Sequence, residues 1–168
     1  FYDDMRQWSF HLQVFFLGHR AQQHLTLAQQ PHSAIADRSI YEDAHIFARV
    51  LRHMGNLSER DYESYRNVYE LVVANLPRPD LLLYLTAPVP VLMGRIRQRA
   101  RPIESGITAD YLNLLDTFYD EWLGGFDLCP VLTIRTQQLD YVHDARHLDI
   151  VIERIEAKLA GHEELILD

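Results

Sequence analysis

Apolar positions in this chain follow two patterns, stripes at helical spacing and short unbroken apolar runs. From Trp8 to about Gln29 the spacing is helical: Trp8, Leu12, Phe15, Phe16 and His19 share one side, and Pro31 lies beyond the end. Ala34, Ile35 and Ala36 rise into Asp37-Arg38-Ser39, which reads as a buried strand ending in an acid and a base. A helix follows at once, with Ile40, Phe47, Val50, Leu51 and Met54 at helical spacings and Gly55 as its left-handed stop. Ser58 with Asp61 marks another helix start, and Tyr62, Tyr65, Tyr69, Val72 and Leu76 carry that helix to Pro77. Leu81–Leu85 predicts a strand buried on both faces, and a helix from about Pro90 leads into a basic cluster. Pro102 to Gly106 reads as a loop, and Thr108 caps a helix that Gly124-Gly125 stops. Val131–Ile134 is a third strand. The last helix runs from about Asp144 to Leu159, with Leu148, Ile152, Ile155 and Leu159 on one side.

Alternating strands and helices predict an α/β domain with a mainly parallel sheet covered on both sides. Three strands are few for such a sheet, so at least one more is expected upstream of Phe1.

Several polar groups fall where ligands bind. Open α/β sheets hold ligands outside the carboxyl ends of their strands. Asp37 could take a proton from a hydroxyl there, and Arg38 could hold an oxygen or a phosphate. A plainer reading makes Asp37 a helix cap and Arg38 the partner of a surface acid. Gln13, Phe16 and Arg20, at i, i+3 and i+7, put an amide, a ring and a guanidinium on one stripe, where a core stripe would be apolar throughout. Asp43 and Phe47 share a face one turn apart. Arg95, Arg97, Arg99 and Arg101 are four arginines in seven residues. They would repel one another unless an anion such as a polyphosphate sits among them. The tyrosines of the fourth predicted element suit packing or a subunit interface.

Composition narrows the field. With 168 residues and 48% hydrophobic content the chain can bury one substantial core, read as a single domain over 1–168. Sixteen basic against 24 acidic residues leave a net charge of −8, which argues against general binding to nucleic acid or an anionic membrane. The single cysteine, Cys129, excludes an internal disulfide and fits a reducing, cytoplasmic compartment. No apolar run approaches the roughly 20 residues of a membrane span. Nine histidines are scattered along the chain, and no Cys-x-x-Cys pair accompanies them, so no direct metal site is expected. No Gly-rich phosphate loop is present either.

Taken in order, Tyr2, Trp8-Ser9-Phe10-His11-Leu12-Gln13, Asp37-Arg38-Ser39-Ile40-Tyr41-Glu42-Asp43 and Arg95-x-x-x-Arg99-x-Arg101-x-x-Glu104 resemble the deoxynucleoside kinases. The branch is that of the deoxycytidine, deoxyguanosine and bacterial deoxyadenosine kinases. Tyr111-Leu112, Tyr119, Trp122 and Cys129-Pro130-Val131-Leu132 extend the likeness over nearly the whole chain. The resemblance implies a P-loop kinase fold, a three-layer α/β arrangement, that transfers the γ-phosphoryl of ATP to a deoxynucleoside 5′-hydroxyl in nucleotide salvage. It implies that Asp37 is the catalytic carboxylate, reaching Mg²⁺ at most through water, and that Arg38 holds the 5′-oxygen and the transferring phosphate. By the same resemblance Tyr2 and Glu104 bind the sugar 3′-hydroxyl. Gln13 pairs with the base edge, Arg20 and Asp43 complete it, and Phe47 packs on the ring. Arg95, Arg99 and Arg101 form a lid over the phosphates.

The family's Gly-rich loop, which precedes the Tyr2 position, is absent. The expectation is therefore a kinase domain lacking its N-terminal strand and P-loop and inactive as the fragment given. A thymidylate-kinase-type nucleoside monophosphate kinase and a non-catalytic nucleotide-binding subunit are the alternatives. The resemblance further implies a homodimer through the helices at 40–54 and 58–76. Base choice stays open among adenine, guanine and cytosine, with thymine disfavoured, and Tyr141 is a candidate neighbour of the donor base.

Overall fold

A computed structural model describes residues 1, 4–140 and 144–161. They divide into two compact units: Phe1–Pro77 with Leu114–Gly125, and Arg78–Asn113 with Phe126–Asp168.

The first unit is helical. Asp4 caps α1 (Met5–Ala28) by accepting from the Gln7 amide at 3.0 Å. The buried residues of α1 are Ser9, Gln13 and Leu17, each four apart. The sequence pattern put the packed side one step round, at Trp8, Phe15 and His19; instead Trp8 is 46% and Phe15 63% exposed. The inward stripe of a helix is set by what packs on it, and here the helix at Ile40 and α4 pack on α1. Ser9 tolerates burial because its hydroxyl donates to the Met5 carbonyl at 2.6 Å.

Ile40 starts a continuous helix in three parts: α2 (Ile40–Glu42), a π-helical stretch (Asp43–Ala48) and α3 (Arg49–His53). Gly55, at φ 73°, ends it as the pattern predicts. The wider π-helical turn was not expected. This helix is the core of the unit: Ile40, Ile46, Ala48 and Val50 are all but inaccessible. Ser58 caps α4 (Glu59–Val73), accepting from the Asp61 amide at 3.2 Å and donating to the Asp61 carboxylate at 2.7 Å. Tyr62, Tyr65 and Tyr69 point into the same core.

Residues 34–36 form no strand. A strand exists through its ladder, and among the described residues none pairs with this segment; Ile35 is 87% exposed.

In the second unit β1 (Leu82–Thr86) and β2 (Val131–Arg135) pair in parallel, in register from Leu82 opposite Val131 to Thr86 opposite Arg135. The expectation that the first of these is buried on both faces fails, because its residues are half-buried at best and Leu85 is exposed. α5 (Val89–Arg99) begins behind Pro88 and ends at Ala100 in the left-handed region. One 3-10 turn, Pro102–Glu104, follows. α6 (Ala109–Gly124) is divided between the units, residues 109–113 with the second and 114–124 with the first. α7 (Ala145–Leu159) is capped by Asp144. Of its apolar residues Val151 is buried, whereas Leu148, Ile152 and Leu159, which the periodicity put on one packed side, are exposed. Among the described residues no helix is long and apolar enough to cross a membrane.

Candidate active site

The first unit gathers most of the sequence-predicted residues. Asp37 and Arg38 lie on the exposed turn that enters α2. The helix cap is Ser39, whose Oγ accepts from the Glu42 amide at 3.2 Å, so Asp37 is not engaged in capping. The spacing Ser39-x-x-Glu42 is a capping signal that the sequence reading passed over. Among the described residues no surface acid pairs with Arg38. Its guanidinium lies over the Phe47 ring, 4.4 Å from the centroid, and its backbone is left-handed at φ 66°. A non-glycine residue held there costs about 1–2 kcal/mol, which the surrounding packing must supply.

Arg20 ties the neighbourhood together. Its Nε donates to Asp43 at 3.3 Å, and its Nη1 donates to the Asp37 carbonyl at 3.1 Å and to Gln23 at 3.2 Å. One guanidinium thus fixes both the turn bearing Asp37 and the first residue of the π-helical stretch. Asp43 is buried, and that burial raises its pKa against the opposing pull of Arg20. Its carboxyl is the more easily protonated for being there.

Gln13 is 3% exposed on α1, and its carboxamide oxygen has no hydrogen-bond partner. An unmade bond of this kind costs about 1–3 kcal/mol. The Tyr65 hydroxyl is likewise buried without a partner; burial first, and the charge of Asp43 second, raise its pKa.

The predicted lid arginines lie in the second unit and differ from one another. Arg95 is bound to its own unit: it donates to Thr136 Oγ1 at 2.9 Å, to the Thr136 carbonyl and to the Leu139 carbonyl at 3.5 Å. Thr136 in turn bonds the Thr86 carbonyl at the end of β1. Arg99 grips Glu104, Nη2 to Oε1 at 2.8 Å and Nε to Oε2 at 3.0 Å, and Arg101 stands 3.8 Å from the same carboxylate. Tyr2 and Tyr141 lie outside the described residues.

The sequence model of the deoxynucleoside kinases matches residues 1–160. The chain belongs to the deoxynucleoside kinase family. It is 34% identical to the deoxyadenosine/deoxycytidine kinase of Bacillus subtilis over 166 residues, covering 98% of this chain and 76% of that protein. It is 32% identical to the deoxyguanosine kinase of the same organism, covering 99% and 78%. A solved deoxyadenosine kinase from M. mycoides with bound dATP superposes with a TM-score of 0.74 at 26% identity, over 92% of this chain and 78% of that one. The α/β fold is that of the P-loop kinases, helix-rich with a two-stranded parallel sheet among the described residues.

As a deoxynucleoside kinase the chain is a phosphotransferase, and its helix 40–53 carries more than the sequence reading assigned to it. Glu42 accepts a hydrogen bond from the Tyr119 hydroxyl of α6. His45 stacks on Trp122 at 6.0 Å and meets Tyr69 edge-on at 5.6 Å. Arg49 pairs with Glu121 and lies over Phe118. Burial, with Arg66 and Arg49 nearby, lowers the His45 pKa to about 4, so this imidazole is neutral at neutral pH. Nothing in the periodicity of the helix signals these contacts, because their partners lie far along the chain, Tyr69 in α4 and the rest in α6.

Proposed function

We propose that this protein phosphorylates deoxyadenosine, deoxyguanosine or deoxycytidine at the 5′-hydroxyl with ATP, and thymidine poorly. The observation that carries this reading is the buried Gln13 carboxamide, its oxygen unpartnered among the described residues, on the same α1 stripe as Arg20, which pairs with Asp43. A carboxamide offers an acceptor to an exocyclic amino group and a donor to a ring nitrogen, which suits adenine and cytosine. The Arg20–Asp43 pair offers a complementary edge to guanine. Relatives named deoxyadenosine/deoxycytidine and deoxyguanosine kinases are consistent with that range.

In this mechanism Asp37, on an exposed turn and not engaged in capping, takes the proton from the 5′-hydroxyl. Arg38 holds the attacking oxygen and the transferring phosphate, and Phe47 packs on the base. Tyr2 and Glu104 hold the 3′-hydroxyl. Arg99 and Arg101 supply cationic charge to the phosphates, because phosphoryl transfer is catalysed mainly by positioning and charge compensation. Arg95 contributes there once released from the loop that it now holds. Mg²⁺ keeps several waters and takes one or two carboxylates with substrate phosphates, so Asp37, reaching it through water, suffices on this side. When bound, the ion offsets phosphate charge. The same enzyme works in nucleotide salvage in the cytoplasm.

Assembly is part of the proposal. Most apolar residues of helix 40–53 are buried in the unit's own core, which leaves little of it for a dimer surface. Exposed apolar residues lie instead on α1, at Trp8, Val14 and Phe15, and on α4, at Val68 and Leu71. We place a C2 homodimer contact there. Sedimentation at micromolar concentration should give the dimer mass, and a monomer rejects the contact.

The substrate reading is tested by kcat/KM for the four deoxynucleosides with ATP, in the full-length protein. A mismatched buried polar edge costs about 1–3 kcal/mol, so thymidine should trail the best substrate by roughly ten- to hundredfold. Thymidine as the best substrate would overturn the base-site model.

A further inference from the structure

Resting on the kinase reading above, we propose that Glu42 and Tyr119 are positioning residues for nucleoside recognition, because their hydrogen bond holds the π-helical stretch that aims Asp43 and Phe47.

The helix from Ile40 to His53 is gripped on two sides. Asp43 and Phe47 are held by Arg20 and Arg38 respectively. Glu42, His45 and Arg49 face α6, where they meet Tyr119, Trp122 and Glu121. Between these two faces lie Ala44, Ile46 and Ala48, all buried. The two faces therefore cannot shift independently. A change of helical register that moves Glu42 off Tyr119 also turns Asp43 away from Arg20.

A register of this kind needs outside support. The i→i+5 bonds of a π-helix occur mostly as single turns inside α-helices, often at functional sites. Here the π-helical stretch begins at Asp43, immediately after Glu42, and ends at Ala48, immediately before Arg49. The two contacts with α6 at Glu42 and Arg49 thus bracket it, and the His45–Trp122 stack lies between them. Reversion to an α-helical turn would change the angle between Asp43 and Phe47, which face the base, while leaving the turn that carries Asp37 attached through Arg20 to its backbone carbonyl. The expected consequence is confined to the nucleoside side of the reaction.

Steady-state kinetics on the full-length protein test this. Tyr119→Phe removes one hydroxyl and keeps the ring. Loss of this half-buried hydrogen bond is worth about 1 kcal/mol, so the KM for the deoxynucleoside should rise about fivefold, with kcat and the KM for ATP at wild-type values. Glu42→Ala should match it, Glu42→Gln should restore wild-type KM because its carboxamide oxygen still accepts, and the double variant Glu42→Ala with Tyr119→Phe should be no worse than either single one. A general structural role would lower kcat and raise both KM values together, and that outcome overturns the proposal. So does an unchanged nucleoside KM in both single variants. Failure of the kinase reading itself is distinct, since the wild-type protein would then phosphorylate none of the four deoxynucleosides.

Discussion

The two units of this chain are built to different densities. In the first, Ile40, Ile46, Val50 and Tyr65 are essentially inaccessible, and the polar residues Ser9, Gln13 and Asp43 are buried with them. In the second, Ala87, Thr136 and Val151 are the described residues that reach full burial, and Leu85, Leu148, Ile152 and Leu159 stay exposed. Residues that would read a base sit in the dense unit, where packing fixes their rotamers. The arginines of the proposed lid, Arg95, Arg99 and Arg101, sit in the sparse one, where few buried contacts oppose local rearrangement. Discrimination among bases needs side chains that do not give way. Charge compensation tolerates, and in a closing lid requires, side chains that do.

Three measurements can break or sharpen this contrast. The largest effect is expected at Asp37, in the first unit. Asp37→Asn in the full-length protein should lower kcat by about a hundredfold or more, the scale of lost general-base catalysis, with nucleoside affinity little changed. Retention of most turnover would remove Asp37 from the chemistry. Next comes Arg99, in the second unit. Arg99→Ala should reduce kcat by roughly ten- to hundredfold through lost charge on the phosphates, while calorimetry without ATP finds nucleoside binding intact. Weakened binding with intact kcat would move Arg99 from the phosphate side to the sugar side, through its partner Glu104.

The smallest effect concerns acid. His45 faces Trp122 from α6, Tyr69, Arg66 and Glu70 from α4, and Arg49 from its own helix. Its pKa falls from 6.5 to about 4 on folding, so the unfolded chain takes up the proton first. Stability from this group is complete above about pH 6.5 and is lost as pH falls toward 4, at roughly 1.4 kcal/mol per pH unit at most. His45→Phe keeps a ring in the stack and removes the proton site. Denaturant titrations at pH 7 and pH 5 should show a smaller loss in the variant than in the parent, and equal losses would show that other groups carry the acid sensitivity.

Much of this was legible in the sequence, for identifiable reasons. Helix starts at Ser58, Thr108 and Asp144 and the stop at Gly55 are local chemistry, and each cap appears where its residue type puts it. The resemblance brought Arg20 and Asp43 to one edge of the site, and they pair; Gln13 stood out in the sequence as a polar residue on a stripe that an ordinary core would fill with apolar ones, and it is buried. What failed depends on packing against a neighbour. Residues 34–36 have the composition of a strand and no ladder partner among the described residues. α1 and α7 have apolar stripes that the packing does not use. The π-helical turn at Asp43–Ala48, and the contacts with α6 on either side of it, are encoded by no periodicity.

The left-handed backbone at Arg38 has a consequence for what selection can preserve. Glycine adopts that conformation freely, which relieves about 1–2 kcal/mol of strain, and returns roughly 0.5–1 kcal/mol of that through its greater freedom when unfolded. The cation over Phe47 accounts for about as much as remains. Folding is therefore nearly indifferent between arginine and glycine at this position. A library screened for thermal stability alone should let Arg38 drift, and if it holds the phosphate as proposed, a screen for turnover should keep it in place.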